Sequence, residues 1–205
     1  MKIICVGMNY ASHNKEMRFA LESADPVLFL KADSALLKDG KPFFLPDFSE
    51  DLEYETELVV RIDRLGRNIA ERFACRYFNE VSVGIDFTAR DLQARLRSQG
   101  LPWEISKAFD NSAALGSFLP LAALGGEVQA LDFRLDINGK TVQNGRTAEM
   151  IASVDRIVAY ASRFFTLRTG DLLYTGTPEG VGRVHIDDHL EGYLCGRKVL
   201  EFNVK

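Results

Sequence analysis

The run DLEYETELVV, residues 51–60, restricts the fold of this chain more than any other stretch. Glu53, Glu55 and Glu57 occupy alternate positions, and the run then turns apolar through Leu58, Val59 and Val60. Side chains alternate faces along a strand, so the three carboxylates would crowd one side of it. Like charges so arranged repel, and the fold must either turn that face to water or place a cation beside it. An acidic edge strand that resists pairing with other chains satisfies the first condition. A bound cation satisfies the second, and the run alone leaves both open.

Other β-type runs fall at 2–6, 27–31, 58–62, 81–85, 133–137, 172–175 and 199–204. Asn138-Gly139 between two such runs predicts a hairpin, because both residues tolerate positive φ. Helices are expected over 11–21, over 89–99 with Gly100 as the stop, and over 154–165 with Ser153 as the N-cap. In the last, Val154, Ile157, Val158, Ala161 and Phe165 share one face. Strands outnumber helices without regular alternation, which predicts one β-rich α+β domain over residues 1–205.

The 205 residues suffice for a real core. A net charge of −4 gives no general grip on nucleic acid or anionic lipid, and no apolar run reaches membrane-span length. The apolar part of the N-terminal stretch is too short for a signal peptide. Cys5, Cys75 and Cys195 are scattered and odd in number, which suits a reducing cytoplasm and argues against disulfides or structural zinc.

Asp86 ends the apolar run 81–85 and could join Glu55 and Glu57. Three hard oxygen donors suit Mg²⁺ or Mn²⁺ better than zinc. Glu53, at the polar start of the run, is expected to be the exposed spare. Beyond Asp86, Arg90 and Gln93 are one helical turn apart, where Arg90 could grip a carboxylate and Gln93 add a neutral hydrogen bond. Arg95 and Arg97 are expected on the solvated face of that helix. His13 and Glu16 are likewise one turn apart, a carboxylate-oriented imidazole suited to activating water, or else a surface ion pair. His185 and His189 have zinc-like spacing, but HIDDH lacks the glutamate of HExxH and reads as a turn. The loop GDLLYTGTPEGVG, residues 170–182, could form an anion-binding nest or simply a tight turn. Lys107 is a lone cation in an apolar stretch, either a buried substrate ligand or a snorkelling surface residue.

Taken in order, GMNYASHNKE, PVLFLKADSAL, YETELVVRI, GIDFTARDLQ, GLPWEISKAFD, NGKTVQNGRT and LLYTGTPEGVG resemble signatures of the fumarylacetoacetate hydrolase family. The resemblance runs from about Gly7 to the C-terminus and is greatest to the small single-domain branch of acylpyruvases, oxaloacetate decarboxylases and tautomerases. It implies a β-rich mixed-sheet roll with few short helices, assembled as a homodimer. It implies Glu55, Glu57 and Asp86 as ligands of Mg²⁺ or Mn²⁺, and a His13–Glu16 dyad on a segment that folds over the site. Arg90, Gln93, Lys107 and Thr177 match substrate-contacting positions, with Lys107 also catalytic.

The implied activity is hydrolysis or decarboxylation of small 2-keto acids, such as acylpyruvates or oxaloacetate, through a metal-stabilised enolate. An isomerase or tautomerase acting on the same enolate is the alternative. A carboxylate- or RNA-binding module using the helix of Arg90 to Arg97 is the non-enzymatic one. The founding enzyme's large N-terminal domain is not in this sequence, so fumarylacetoacetate itself is not the expected substrate. Met8 stands where many small members carry arginine, and Ile62-Asp63 replaces a common Ile-Gly.

Overall fold

The computed structural model describes residues 1–17 and 25–205. From the N-terminus these form β1 (Ile3–Gly7), α1 (Ala11–Glu16), β2 (Val27–Lys31), β3 (Leu36–Leu37), β4 (Leu52–Tyr54) and β5 (Thr56–Ile62). Next come β6 (Phe78–Asp86), β7 (Thr88–Ala89), α2 (Arg90–Ser98), β8 (Ala113–Leu115) and β9 (Leu119–Pro120). The chain continues through β10 (Asp132–Ile137), β11 (Lys140–Arg146), α3 (Val154–Phe164), β12 (Leu172–Tyr174), β13 (Gly182–Arg183), β14 (His189–Leu194) and β15 (Arg197–Asn203).

The main sheet has the order β2-β1-β12-β5-β6-β8-β3, with β9 also on β6. β1 with β12 and β3 with β8 run parallel and the other pairs antiparallel, so the sheet is mixed. A second, antiparallel sheet has the order β11-β10-β14-β15, and β4 holds β13 and β7 in a small third one. This is an α+β, β-rich roll with few short helices.

Alternation along the central strands sorts side chains between two cores. Ile4 and Val6 of β1, with Leu58, Val60 and Ile62 of β5, pack under α3. Ile3, Cys5 and Val59 take the opposite face, with Phe29 and Tyr174. On α3, Val154, Ile157, Val158 and Ala161 are buried and Phe165 packs half-buried beside them, while Ser153 Oγ accepts from Arg156 N. The Asn138-Gly139 hairpin forms with φ of 52° and 76°. Helix α2 stops before Gly100, whose φ is 66°. Helix α1 covers the first six residues of the helix expected over 11–21, and the part expected over 18–21 lies outside the described residues. Among the described residues, no helix is long and apolar enough to cross a membrane.

Candidate functional site

The acidic run is broken between β4 and β5, with Glu55 at the break. Glu55 remains in the ladder, because its carbonyl accepts from Asp86 N at 2.8 Å. Two residue pairs further on, Glu57 lies opposite Gly84 in the β5–β6 register, which makes Asp86 its diagonal neighbour on the same face. Glu55, Glu57 and Asp86 are all buried there, with ligand oxygens within 4.8 Å of one another. Glu53 is not the exposed spare expected of it. Helix α2 starts beside β4, and Arg90 Nε donates to Glu53 Oε2 at 2.6 Å while Nη2 donates to Glu55 Oε1 at 2.5 Å.

Cations answer the crowding unevenly. Lys107 is buried, and its Nζ donates to Glu55 Oε2 at 2.6 Å and Asp86 Oδ2 at 2.8 Å. Lys31, fully buried, places Nζ 2.7 Å from Asp86 Oδ1 and donates to Ser112 Oγ at 3.0 Å. That Lys31 contact is a charge contact without hydrogen-bond geometry, since Asp86 Oδ1 has no hydrogen-bond partner. Burial alone would raise the Glu55 pKa, but Lys107 and Arg90 outweigh it and hold the carboxyl far below the usual range. Glu57 differs. Its Oε2 accepts from Gly176 N at 2.8 Å, yet among the described residues no ammonium or guanidinium lies within ion-pair distance. Burial and the Asp86 charge therefore push its pKa well up.

This donor set fits a hard divalent cation. Among the described residues Glu57 has no cation within ion-pair distance and Asp86 Oδ1 accepts no hydrogen bond, and the three carboxylates converge. Glu55, Glu57 and Asp86 are the residues that could hold Mg²⁺ or Mn²⁺.

The same pocket, a cavity of about 40 Å³, is lined by His13, Arg90, Gln93, Lys107 and Thr177 as well as the three carboxylates. His13 is a buried part of its lining, with Nδ1 3.3 Å from Glu16 Oε2. Glu16 stands behind the imidazole and accepts from Gly180 N at 3.1 and 3.3 Å. Two amides of the Gly/Thr/Pro loop, which the sequence left open as an anion nest or a tight turn, thus hold the protein's own Glu57 and Glu16. Arg90 Nη1 also donates to Gln93 Oε1 at 2.8 Å. With three of its five N–H groups committed to Glu53, Glu55 and Gln93, it keeps two for a further acceptor.

Sequence reasoning gave no role to Lys31, Gln143 or Trp103. In VLFLK, Lys31 shares the inward phase of Phe29, which signals burial but not its partner. Gln143 accepts from Thr56 N at 2.9 Å and donates to Thr177 Oγ1 at 2.9 Å, tying β5 to the loop of Thr177. Arg97, expected on the solvated face, is exposed but also lines the pocket, together with Trp103. Met8 lines it too, at a φ of 60° that strains a side-chain-bearing residue. The histidines of HIDDH lie elsewhere. His185 is exposed and faces Asp188, and His189 sits beside Glu191 and Glu201, which already share Lys198.

The family model for the fumarylacetoacetate hydrolase C-terminal region matches residues 2–204. The mitochondrial oxaloacetate tautomerase of Mus musculus is 39% identical over 203 residues, which cover 99% of this chain and 91% of that protein. The oxaloacetate tautomerase of Escherichia coli K12 is 41% identical, over 97% of this chain and 92% of its own. Among solved structures, a fumarylpyruvate hydrolase from Pseudomonas aeruginosa in complex with Mn²⁺ and pyruvate superposes with a TM-score of 0.92. It is 38% identical, and the match covers 100% of this chain and 89% of that one. A fold, a full-length sequence match and a keto-acid enzyme neighbourhood converge: the chain belongs to the fumarylacetoacetate hydrolase family.

Proposed function

We propose that this protein is a Mg²⁺- or Mn²⁺-dependent enzyme of small 2-keto acids, in which His13 and Glu16 move the proton and Glu55, Glu57 and Asp86 hold the ion. The observation that carries this reading is the placement of a carboxylate-backed imidazole and three converging buried carboxylates around one pocket. A divalent ion there would polarise the keto oxygen and steady negative charge as it develops.

The residues of the chain do the rest. With Nδ1 of His13 facing Glu16, Nε2 is assigned the role of base, and Glu16 stabilises the charge that the ring acquires. In hydrolysis of an acylpyruvate, Nε2 takes a proton from water and the water oxygen bonds to the distal carbonyl carbon. The adjacent C–C bond then breaks, its electron pair stays on the pyruvate carbon, and protonation there completes the two acids. Lys107 and the remaining N–H groups of Arg90 hold the oxygens on which charge gathers, with Gln93 and Thr177 fixing the head of the substrate.

A tautomerase is the second reading, favoured by the two oxaloacetate tautomerases that are 39% and 41% identical to this chain. The same base would lift a proton from the carbon between two carbonyls and return it to oxygen. A panel of acetylpyruvate and oxaloacetate, assayed with and without chelator for both cleavage and tautomerisation, separates the two. Chelator-insensitive turnover contradicts both readings.

A further inference from the structure

Two lysines touch Asp86, and they are held in different ways. Lys107 lines the pocket, where its Nζ bridges Glu55 Oε2 and Asp86 Oδ2. Lys31 does not line the pocket, and its side chain is 0% exposed. It comes from the end of β2, and its partners lie beside the end of β6. Ser112 stands just before β8, in which Ala113 pairs with Asp86. Lys31 Nζ donates to Ser112 Oγ at 3.0 Å and to the Lys107 carbonyl, and Ser112 Oγ donates to that same carbonyl at 2.7 Å. These bonds pin the ammonium 2.7 Å from Asp86 Oδ1. Lys107 borders open space, whereas Lys31 is enclosed.

The pinned ammonium completes a pattern across the three carboxylates. Glu55 Oε1 accepts from Arg90 Nη2 at 2.5 Å, Glu57 Oε2 accepts from Gly176 N at 2.8 Å, and Asp86 Oδ1 faces Lys31. Each carboxylate therefore has one oxygen covered by the protein and presents the other to an ion. Mg²⁺ and Mn²⁺ take about six oxygens in octahedral array, so single oxygens from three carboxylates leave about three places for water or a chelating ligand. Ca²⁺ takes about six to eight and commonly draws both oxygens of a carboxylate. Of the three covering groups, Arg90 also lines the pocket and Gly176 N belongs to the backbone. Lys31 is the one whose side chain serves the ligand alone.

We infer that Lys31 is a positioning residue, which keeps Asp86 to a single oxygen and thereby makes the site favour a small six-coordinate ion over Ca²⁺. The inference rests on the metal reading above and adds the selectivity of that site.

The test is isothermal titration of Mn²⁺ and, separately, Ca²⁺ into the full chain after chelator treatment. Lys31→Met keeps the length of the side chain without its charge, and Ser112→Ala loosens the ammonium without deleting it. We expect the unaltered protein to bind Mn²⁺ about a hundredfold more tightly than Ca²⁺. Lys31→Met should narrow that ratio about tenfold, the scale of one charge-assisted contact, and Ser112→Ala should narrow it less. Water-proton relaxation by the bound Mn²⁺ counts the waters on the ion, and about three are expected in the unaltered protein. A lower count shows a carboxylate giving both oxygens and overturns the role of Lys31. An unchanged ratio in the folded variants overturns it as well, and parallel weakening of both ions would show that Lys31 only supports the fold. In each of these cases Mn²⁺ still binds and the metal reading stands. No uptake of Mn²⁺ by the folded, unaltered protein overturns both.

Discussion

Glu16→Gln keeps the length and shape of the side chain while removing the negative charge that faces the His13 ring. In the structure this carboxylate is 3.3 Å from Nδ1 and is fixed on its other side by Gly180 N. A hydrogen bond to a charged group contributes about 1.5–3 kcal/mol. The contact is long and the Glu16 side chain is 33% exposed, so solvent screening places it at the lower end, about 1.5 kcal/mol. If that interaction grows only as His13 takes up its proton, the loss falls on kcat and amounts to about tenfold. Removing the base itself, in His13→Gln, should cost on the order of 10²–10⁴. Neither residue is among the three converging carboxylates, so Mn²⁺ affinity should hold in both variants. Steady-state kinetics on the preferred keto acid, paired with a Mn²⁺ titration of each variant, measures both quantities. An unchanged kcat in Glu16→Gln, or Mn²⁺ affinity that falls in step with kcat, refutes the dyad argument.

Two further perturbations probe the charge balance of the site. Lys107→Met leaves Glu55 and Asp86 buried with one cation fewer, and should destabilise the metal-free protein by about 3 kcal/mol in urea unfolding. Mn²⁺ should recover much of that loss, and a silent substitution would show that Lys107 is not needed to balance the cluster. Gly176→Ala places a Cβ 2.7 Å from that of Asn9 at a φ of +97°, straining the turn by about 1–2 kcal/mol. Since Gly176 N is the donor to Glu57, Mn²⁺ affinity should fall in this variant, and an unchanged affinity would mean that Glu57 orientation does not depend on that amide.

Much of this was legible because local patterns and the global fold agree. The Asn-Gly hairpin, the Ser153 cap and the period-two apolar runs each dictate one local answer that packing does not override. The converging carboxylates were legible for the opposite reason. Alternating charge entering an apolar strand conflicts with burial, and such conflicts concentrate at functional sites. Three features were hidden. Glu53 reads as spare because the spacing of a strand says nothing about a cation arriving from another element, here Arg90 of α2. Arg97 reads as solvated because its exposure masks the face that it shares with Gln93. Lys31 reaches Asp86 only through the pairing of β2 with β1 and β1 with β12, a long-range arrangement that a single sequence does not display.

The central claim is that Glu55, Glu57 and Asp86 together bind one divalent cation. Isothermal titration of Mn²⁺ into the folded, chelator-treated protein addresses it directly. We predict one site per chain, lost in Glu57→Gln and in Asp86→Asn while both variants keep their fold by circular dichroism. No uptake of Mn²⁺ or Mg²⁺ by the folded protein, or uptake that survives both substitutions, would contradict it.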